Sequence, residues 1–156
     1  MSRVRAVAAD TPAAQTLLTE YFAARAAGFP GGGYRTVLPD PAVFVPPAGV
    51  FLILEDDAGE AIGCGGVRRL EPGPAGTRYE VKHLYVRPTA RGAGGGRRLL
   101  AELEQHALDL GARELVLDTH HSLEAAAGLY SRAGFQPIPA YNDNPNATVW
   151  LRKVLA

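Results

Sequence analysis

YEVKHLYVRPTARGAGGGRRLLA, residues 79–101, decides the fold. Tyr79–Val86 is rich in β-branched and aromatic residues and predicts a strand. Pro88 ends it, because proline has no N–H for a sheet ladder. Arg91–Gly96 (RGAGGG) is a glycine-rich turn. From Arg97 onward, Leu99, Leu100 and Leu103 recur on one side, which is helical spacing. Strand, glycine turn and helix together form a phosphate-binding arrangement. The glycines let the backbone approach closely, and the free N–H groups and dipole of the helix N-terminus face the anion.

Two common phosphate fingerprints fail here. For a dinucleotide G-x-G-x-x-G, the third glycine would be Arg97 or Leu99, and no Gly-Lys-Ser/Thr of a P-loop follows. What remains is Arg91-x-x-Gly94-x-Gly96, with LYVRP before it and a leucine-rich helix after it. A second stretch, Leu129–Phe135 (LYSRAGF), places Tyr130 39 residues after Arg91. That distance fits one helix, one strand and most of another helix.

On these residues the chain resembles the GNAT N-acetyltransferase superfamily. The first stretch matches its acetyl-CoA pyrophosphate signature and the second its L-Y-x-x-x-G-F motif. The resemblance covers residues 51–135, and the two ends match in general layout. It implies one α/β (α+β) domain over residues 1–156. Its mixed sheet of about six to seven strands would be parallel at the centre, with helices on both faces. The implied activity is direct transfer of the acetyl group of acetyl-CoA to a primary amine. Backbone N–H groups of Gly92, Ala93, Gly94, Gly95 and Gly96 would hold the pyrophosphate, with Arg91 and Arg97 nearby. Exposed backbone at Leu84, Tyr85 and Val86 would bind the pantetheine arm and polarise the thioester carbonyl. Tyr130 would protonate the departing thiolate. Many members carry asparagine seven residues before that tyrosine; here Leu123 stands there, which leaves the contact to Ser122 or His121.

A protonated amine is no nucleophile, so a base is needed. Glu80 stands eleven residues before Arg91, where some members of the family carry one. The other reading of Glu80 is an ion-paired strand glutamate sharing a face with Lys82. For the acceptor, the resemblance points to the segment 28–49, in which ten of 22 residues are glycine or proline. Tyr34, Arg35, Asp40 and Phe44 are its candidate contacts, with Tyr141, Asn142, Asp143 and Asn144 from a later loop. Each is also readable as an ordinary loop residue. A small amino-acid-like amine is the expected acceptor; a peptide acceptor would need an open groove.

Composition narrows the alternatives. The formal net charge is zero, so no broad attraction to nucleic acid or an anionic membrane is expected. No run of about 18 apolar residues and no leader pattern is visible, and a cytoplasmic location is expected. Cys64 is the only cysteine, which rules out an internal disulfide. It lacks a neighbouring activator and reads as a small buried side chain. The histidines His83, His106, His120 and His121 form no ligand set, so no metal is expected.

Along the rest of the chain, Arg3–Ala8 predicts a strand and Thr11-Pro12 opens a helix that closes at Gly28. Phe51–Glu55 and Ala61–Leu70 predict a hairpin around Asp56–Gly59. Gly63, Gly65 and Gly66 mark a bulge or a close approach within it. A helix runs on from Arg97 to near Gly111. Glu114–Asp118 predicts a buried strand parallel to Tyr79–Val86, Leu123–Ala133 a helix, Pro137–Asn146 a loop, and Thr148–Leu155 a terminal strand. As an exposed edge, that last strand would offer a homodimer contact. The rivals to an enzyme are a CoA-binding sensor without turnover and, weakened by the failed fingerprint, a dinucleotide binder.

Overall fold

A computed structural model describes residues 2–155. In chain order the elements are β1 (Arg3–Ala6), α1 (Pro12–Gly28), β2 (Gly49–Glu55), β3 (Ala61–Gly73), β4 (Gly76–Val86), α2 (Gly95–Asp109), β5 (Glu114–Thr119), α3 (Glu124–Arg132), β6 (Gln136–Ile138) and β7 (Val149–Val154). The seven strands make one sheet in the order β1-β2-β3-β4-β5-β7-β6. Every neighbouring pair is antiparallel except β4 and β5 at the centre. The mixed sheet, the central parallel pair and the flanking helices are as the sequence predicts.

Alternation along β2 shows how the sheet divides its helices. Val50, Leu52 and Leu54 face one side, with Leu99, Leu100 and Leu103 of α2. Phe51 and Ile53 face the other, with Leu17, Leu18 and Phe22 of α1. All five strand residues are at least 96% buried, which is why FLILE reads as a continuous apolar run. The β3 glycines allow α2 to lie close. A Cβ at Gly65 would come within 2.9 Å of Leu103, and one at Gly63 within 3.2 Å of Leu99.

Near its middle, β4 departs from regular pairing. Gly66 pairs with Lys82 and Cys64 with Tyr85, so Gly65 opposes both His83 and Leu84. His83 is the extra residue, and its φ of 59° is left-handed, unusual for a side chain of this size. Before the bulge Tyr79 and Val81 pack on the α2 side; after it Leu84 and Val86 do. Pairing with β5 covers only Arg78–Glu80 against Glu114–Val116. Beyond that point β4 and β5 part, and a cleft opens between them.

Several boundaries differ from the sequence reading. β3 and β4 extend to Gly73 and Gly76, which pair directly, because each arm supplies the other with a ladder. β6 replaces part of the expected 137–146 loop. Pro137 argues against a strand, but β6 is an edge, where proline is tolerated. The terminal strand β7 lies between β5 and β6 and is no edge, so the edge-pairing argument for a homodimer falls. Thr11 stands at the N-cap of α1, but its hydroxyl donates to the Ala8 carbonyl and does not cap the helix. Among the described residues no helix is long and apolar enough to cross a membrane.

Candidate active site

The cleft between β4 and β5 opens into a cavity of about 1430 Å³ that runs from the start of α2 to the 141–147 loop. One end is built by the glycine turn. Gly94 is the N-cap of α2 with φ 81°, a conformation that suits glycine. The Arg98 N–H returns to the Gly94 carbonyl and closes the first turn. The N–H groups ahead of Arg98 have no partner within the helix and sit at the positive end of its dipole. Gly92, Gly94, Gly95, Gly96, Arg91 and Arg97 line this end, and Ala93 does not. The Arg91 side chain donates to the Val86 carbonyl at 3.0 Å, tying the turn to the end of β4.

The middle of the cavity is lined by Leu84, Tyr85 and Val86, the stretch of β4 that has left β5. Opposite stand Ser122, Leu123 and Tyr130 from the start and body of α3. Ser122 is held by His120, Oγ to Nδ1 at 2.7 Å. Leu123 is the N-cap of α3 and offers no side-chain cap. Tyr130 is 8% exposed and packs edge-on against Phe135. Among the described residues its hydroxyl has no hydrogen-bond partner. Burial pushes its pKa up to about 12, so the hydroxyl stays protonated across the physiological range.

Two segments close the opposite end. Tyr34, Arg35, Asp40 and Phe44 line it from one side, Asn142 and Asn144 from the other. A clasp joins them: Asn146 accepts from the Arg35 N–H at 2.9 Å and donates to its carbonyl at 2.7 Å. Asp40 is partly occupied locally, since its carboxylate accepts the Ala42 N–H.

Glu80 is fully buried but does not line the cavity, and neither does Tyr141. Arg68 donates to Glu80 Oε1 through Nε and through Nη2, both at 2.9 Å, and Tyr141 donates to Oε2 at 2.5 Å. Lys82 stands 4.0 Å from Oε1. The ion-paired reading of Glu80 therefore describes its surroundings, with Arg68 closer than the expected Lys82. Burial and the Glu80 charge both push the Tyr141 phenol up.

The sequence reading passed over three groups that face the cavity. Asp118 ends the inward face of β5; Asn142 donates to its Oδ2 at 2.7 Å, and Lys82 lies 4.0 Å from Oδ1. Trp150 donates to Asn142 Oδ1 at 2.9 Å and fixes that amide. His83, on the bulge, sits edge-on to Tyr21 and Phe22, and its buried Nδ1 has no partner among the described residues. Burial, then the nearby Lys82 and Arg68, holds its pKa down to about 3. Tyr21, the third, is pushed up by burial. Cys64 is buried beneath, donates to the His83 carbonyl at 3.4 Å, and is pushed up to about 12 by burial. His120 is buried against Phe29 rather than at the surface.

Comparison with known proteins agrees with this architecture. The sequence model of the Acetyltransferase (GNAT) family matches residues 14–135. An uncharacterised N-acetyltransferase of Schizosaccharomyces pombe is 40% identical over 100 residues, 64% of this chain and 60% of that protein. The chain spans about three-fifths of the length of the curated relatives it matches first. Two solved structures share the fold. A GNAT-family acetyltransferase from Staphylococcus aureus superposes with a TM-score of 0.80 at 16% identity over all of both chains. A phosphinothricin acetyltransferase from Sinorhizobium meliloti, in complex with AcCoA, gives 0.69 at 19% over 99% of this chain and 88% of that one. The glycine turn, the parted central strands and the tyrosine on α3 thus lie within a match spanning most of the sequence, and the chain belongs to the GNAT family of acetyltransferases.

Proposed function

We propose that this protein transfers the acetyl group of acetyl-CoA directly to the primary amine of a small molecule. The observation that carries the reading is the parting of β4 from β5 beside the α2 N-terminus. It leaves the backbone of Leu84–Val86 unpaired on one side, facing a cavity that begins at the glycine turn. In this reading the turn from Arg91 to Arg97 receives the pyrophosphate. The freed strand backbone receives the pantetheine arm and, through a preset N–H dipole, polarises the thioester carbonyl. Ser122 contacts the donor from the opposite wall. Tyr130, free and protonated, gives its proton to the leaving sulfur. Glu80 acts behind the wall, fixing Arg68, Lys82 and Tyr141.

The Asn146–Arg35 clasp favours a small acceptor. It bridges the acceptor end, where a peptide would need a continuous groove. Tyr34 and Phe44 supply apolar surface there, and Arg35 supplies a cation. The test is thiol release from acetyl-CoA with a panel of amino acids, polyamines, aminoglycosides and peptides. Amine-dependent release is expected, with Tyr130→Phe lowering kcat by about 10- to 100-fold and leaving acetyl-CoA affinity unchanged. Tight acetyl-CoA binding without turnover on any amine would replace this reading with that of a sensor.

A further inference from the structure

Three carboxylates line the cavity, Asp40, Asp118 and Glu124. Asp40 and Glu124 are exposed, one spent on a local turn and the other in the first turn of α3. Asp118 differs in that its side chain is only 6% exposed. It lies on the side of the sheet that bears Glu80 and Lys82, at the point where β5 has separated from β4. Its charge acts on Tyr130 of α3, Tyr21 of α1 and Tyr34 of the acceptor segment. One carboxylate is therefore near both the thiolate-protonating position and the acceptor wall. Glu80, by contrast, has each oxygen engaged and lies behind the lining.

Taking the acetyltransferase reading as its basis, we propose that Asp118 is the carboxylate that meets the acceptor's amine and takes the proton it sheds as the amide forms. The uncharged amine nitrogen attacks the thioester carbonyl carbon. The C–N bond forms, the C–S bond breaks, and the nitrogen's proton passes to an Asp118 oxygen. The departing sulfur takes the Tyr130 proton, and the proton held by Asp118 returns to the tyrosinate through solvent. The sum is amine plus thioester giving amide plus thiol. Two cations assist. Lys82, near Asp118, and Arg25, stacked on Tyr34, both line the same space, and neighbouring cations favour the uncharged amine. Asn142, fixed by Trp150, holds the carboxylate through Oδ2, while Oδ1 has only the 4.0 Å approach of Lys82.

The test compares Asp118→Asn with Glu80→Gln in the full chain. Probes are spermidine, kanamycin, L-methionine and an alanine-initiated tripeptide, and kcat/KM is recorded with the fastest. Asparagine keeps the size of the side chain and still accepts from Asn142. The expected result for Asp118→Asn is a fall in kcat/KM of about 100-fold or more, with acetyl-CoA affinity and melting temperature unchanged. Glu80→Gln should keep kcat/KM within a few-fold of wild type and lower the melting temperature instead. Activity of Asp118→Asn within about threefold of wild type, or a loss shared by kcat/KM and acetyl-CoA affinity, overturns the assignment while leaving the acetyltransferase reading standing. A wild-type protein that binds acetyl-CoA and acetylates none of the probes overturns both.

Discussion

Lowering the pH from 7 to 5 should cost this fold about 2 kcal/mol through one residue, His83. In the folded protein it is 8% exposed and stays neutral until about pH 3. In the unfolded chain it takes up a proton near the ordinary value of about 6.5. Its contribution is therefore complete above pH 6.5 and is lost as the pH falls toward 3. At pH 5 the unfolded state has gained about 1.5 logarithmic units of protonation free energy that the native state cannot share, or about 2 kcal/mol. The melting temperature should fall by about 4–8 °C from this term. His120, also pulled down by burial, adds in the same direction. Glu20 and Glu55, held down by their arginine partners, lose their stabilisation only on entering the carboxylate range. The assay is urea unfolding from pH 7.5 to 4.8 for wild type and His83→Asn. Asparagine does not titrate and tolerates a left-handed backbone. It lowers the baseline stability, so the comparison rests on slope, where the two proteins should differ by nearly one proton near pH 5. Equal slopes, or a wild-type midpoint that does not move with pH, would refute the reasoning.

Further predictions follow from packing and the site. Gly49→Ala places a Cβ against the carbonyl oxygens of Val67 and Val43, backbone atoms that cannot step aside, and should cost at least 3 kcal/mol in chemical denaturation. Glu80→Gln removes the charge that pairs with Arg68, itself 38% exposed, and should destabilise by about 1–2 kcal/mol, read by the same measurement. Gly94→Ala forces an alanine into φ 81° at the α2 N-cap; acetyl-CoA affinity measured by calorimetry should fall about tenfold with little change in kcat. Asn146→Ala removes both bonds to the Arg35 backbone, so limited proteolysis should cut sooner within 31–38, and KM for the acceptor should rise several-fold.

The unit from β4 to α2 was legible because three independent signals coincide there: β-rich residues, a glycine cluster, and leucines at helical spacing. The glycine end of the cavity is lined by the same residues. The opposite end was harder to read because it is assembled from segments far apart in sequence. Arg35 and Asn146 meet across 111 positions, and Glu80 and Tyr141 across 61. No local pattern announces such pairs. Asp118 looked like the polar end of a buried strand, ELVLD, and nothing nearby showed that β4 would leave it facing a cavity. His83 did leave a trace. Along β4 the inward apolar residues are Tyr79 and Val81, then Leu84 and Val86, so the spacing of two is broken once, across adjacent polar residues Lys82 and His83. That break in phase is the sequence signature of a bulge.

The bulge also means that β4 is one residue longer than its partner β3 requires. Deleting His83 would leave every other side chain of β4 on its present face: Lys82 would be followed directly by Leu84, and Gly65 would gain a single partner. The shortened strand would shed a left-handed residue and a buried nitrogen without a partner. It would also lose the bend that a bulge imposes on its strand. A straighter, better-paired β4 would run on beside β5 and close the cleft. At this residue, regularity of the sheet and access to its backbone are alternatives, and the chain is built one residue away from the more regular sheet.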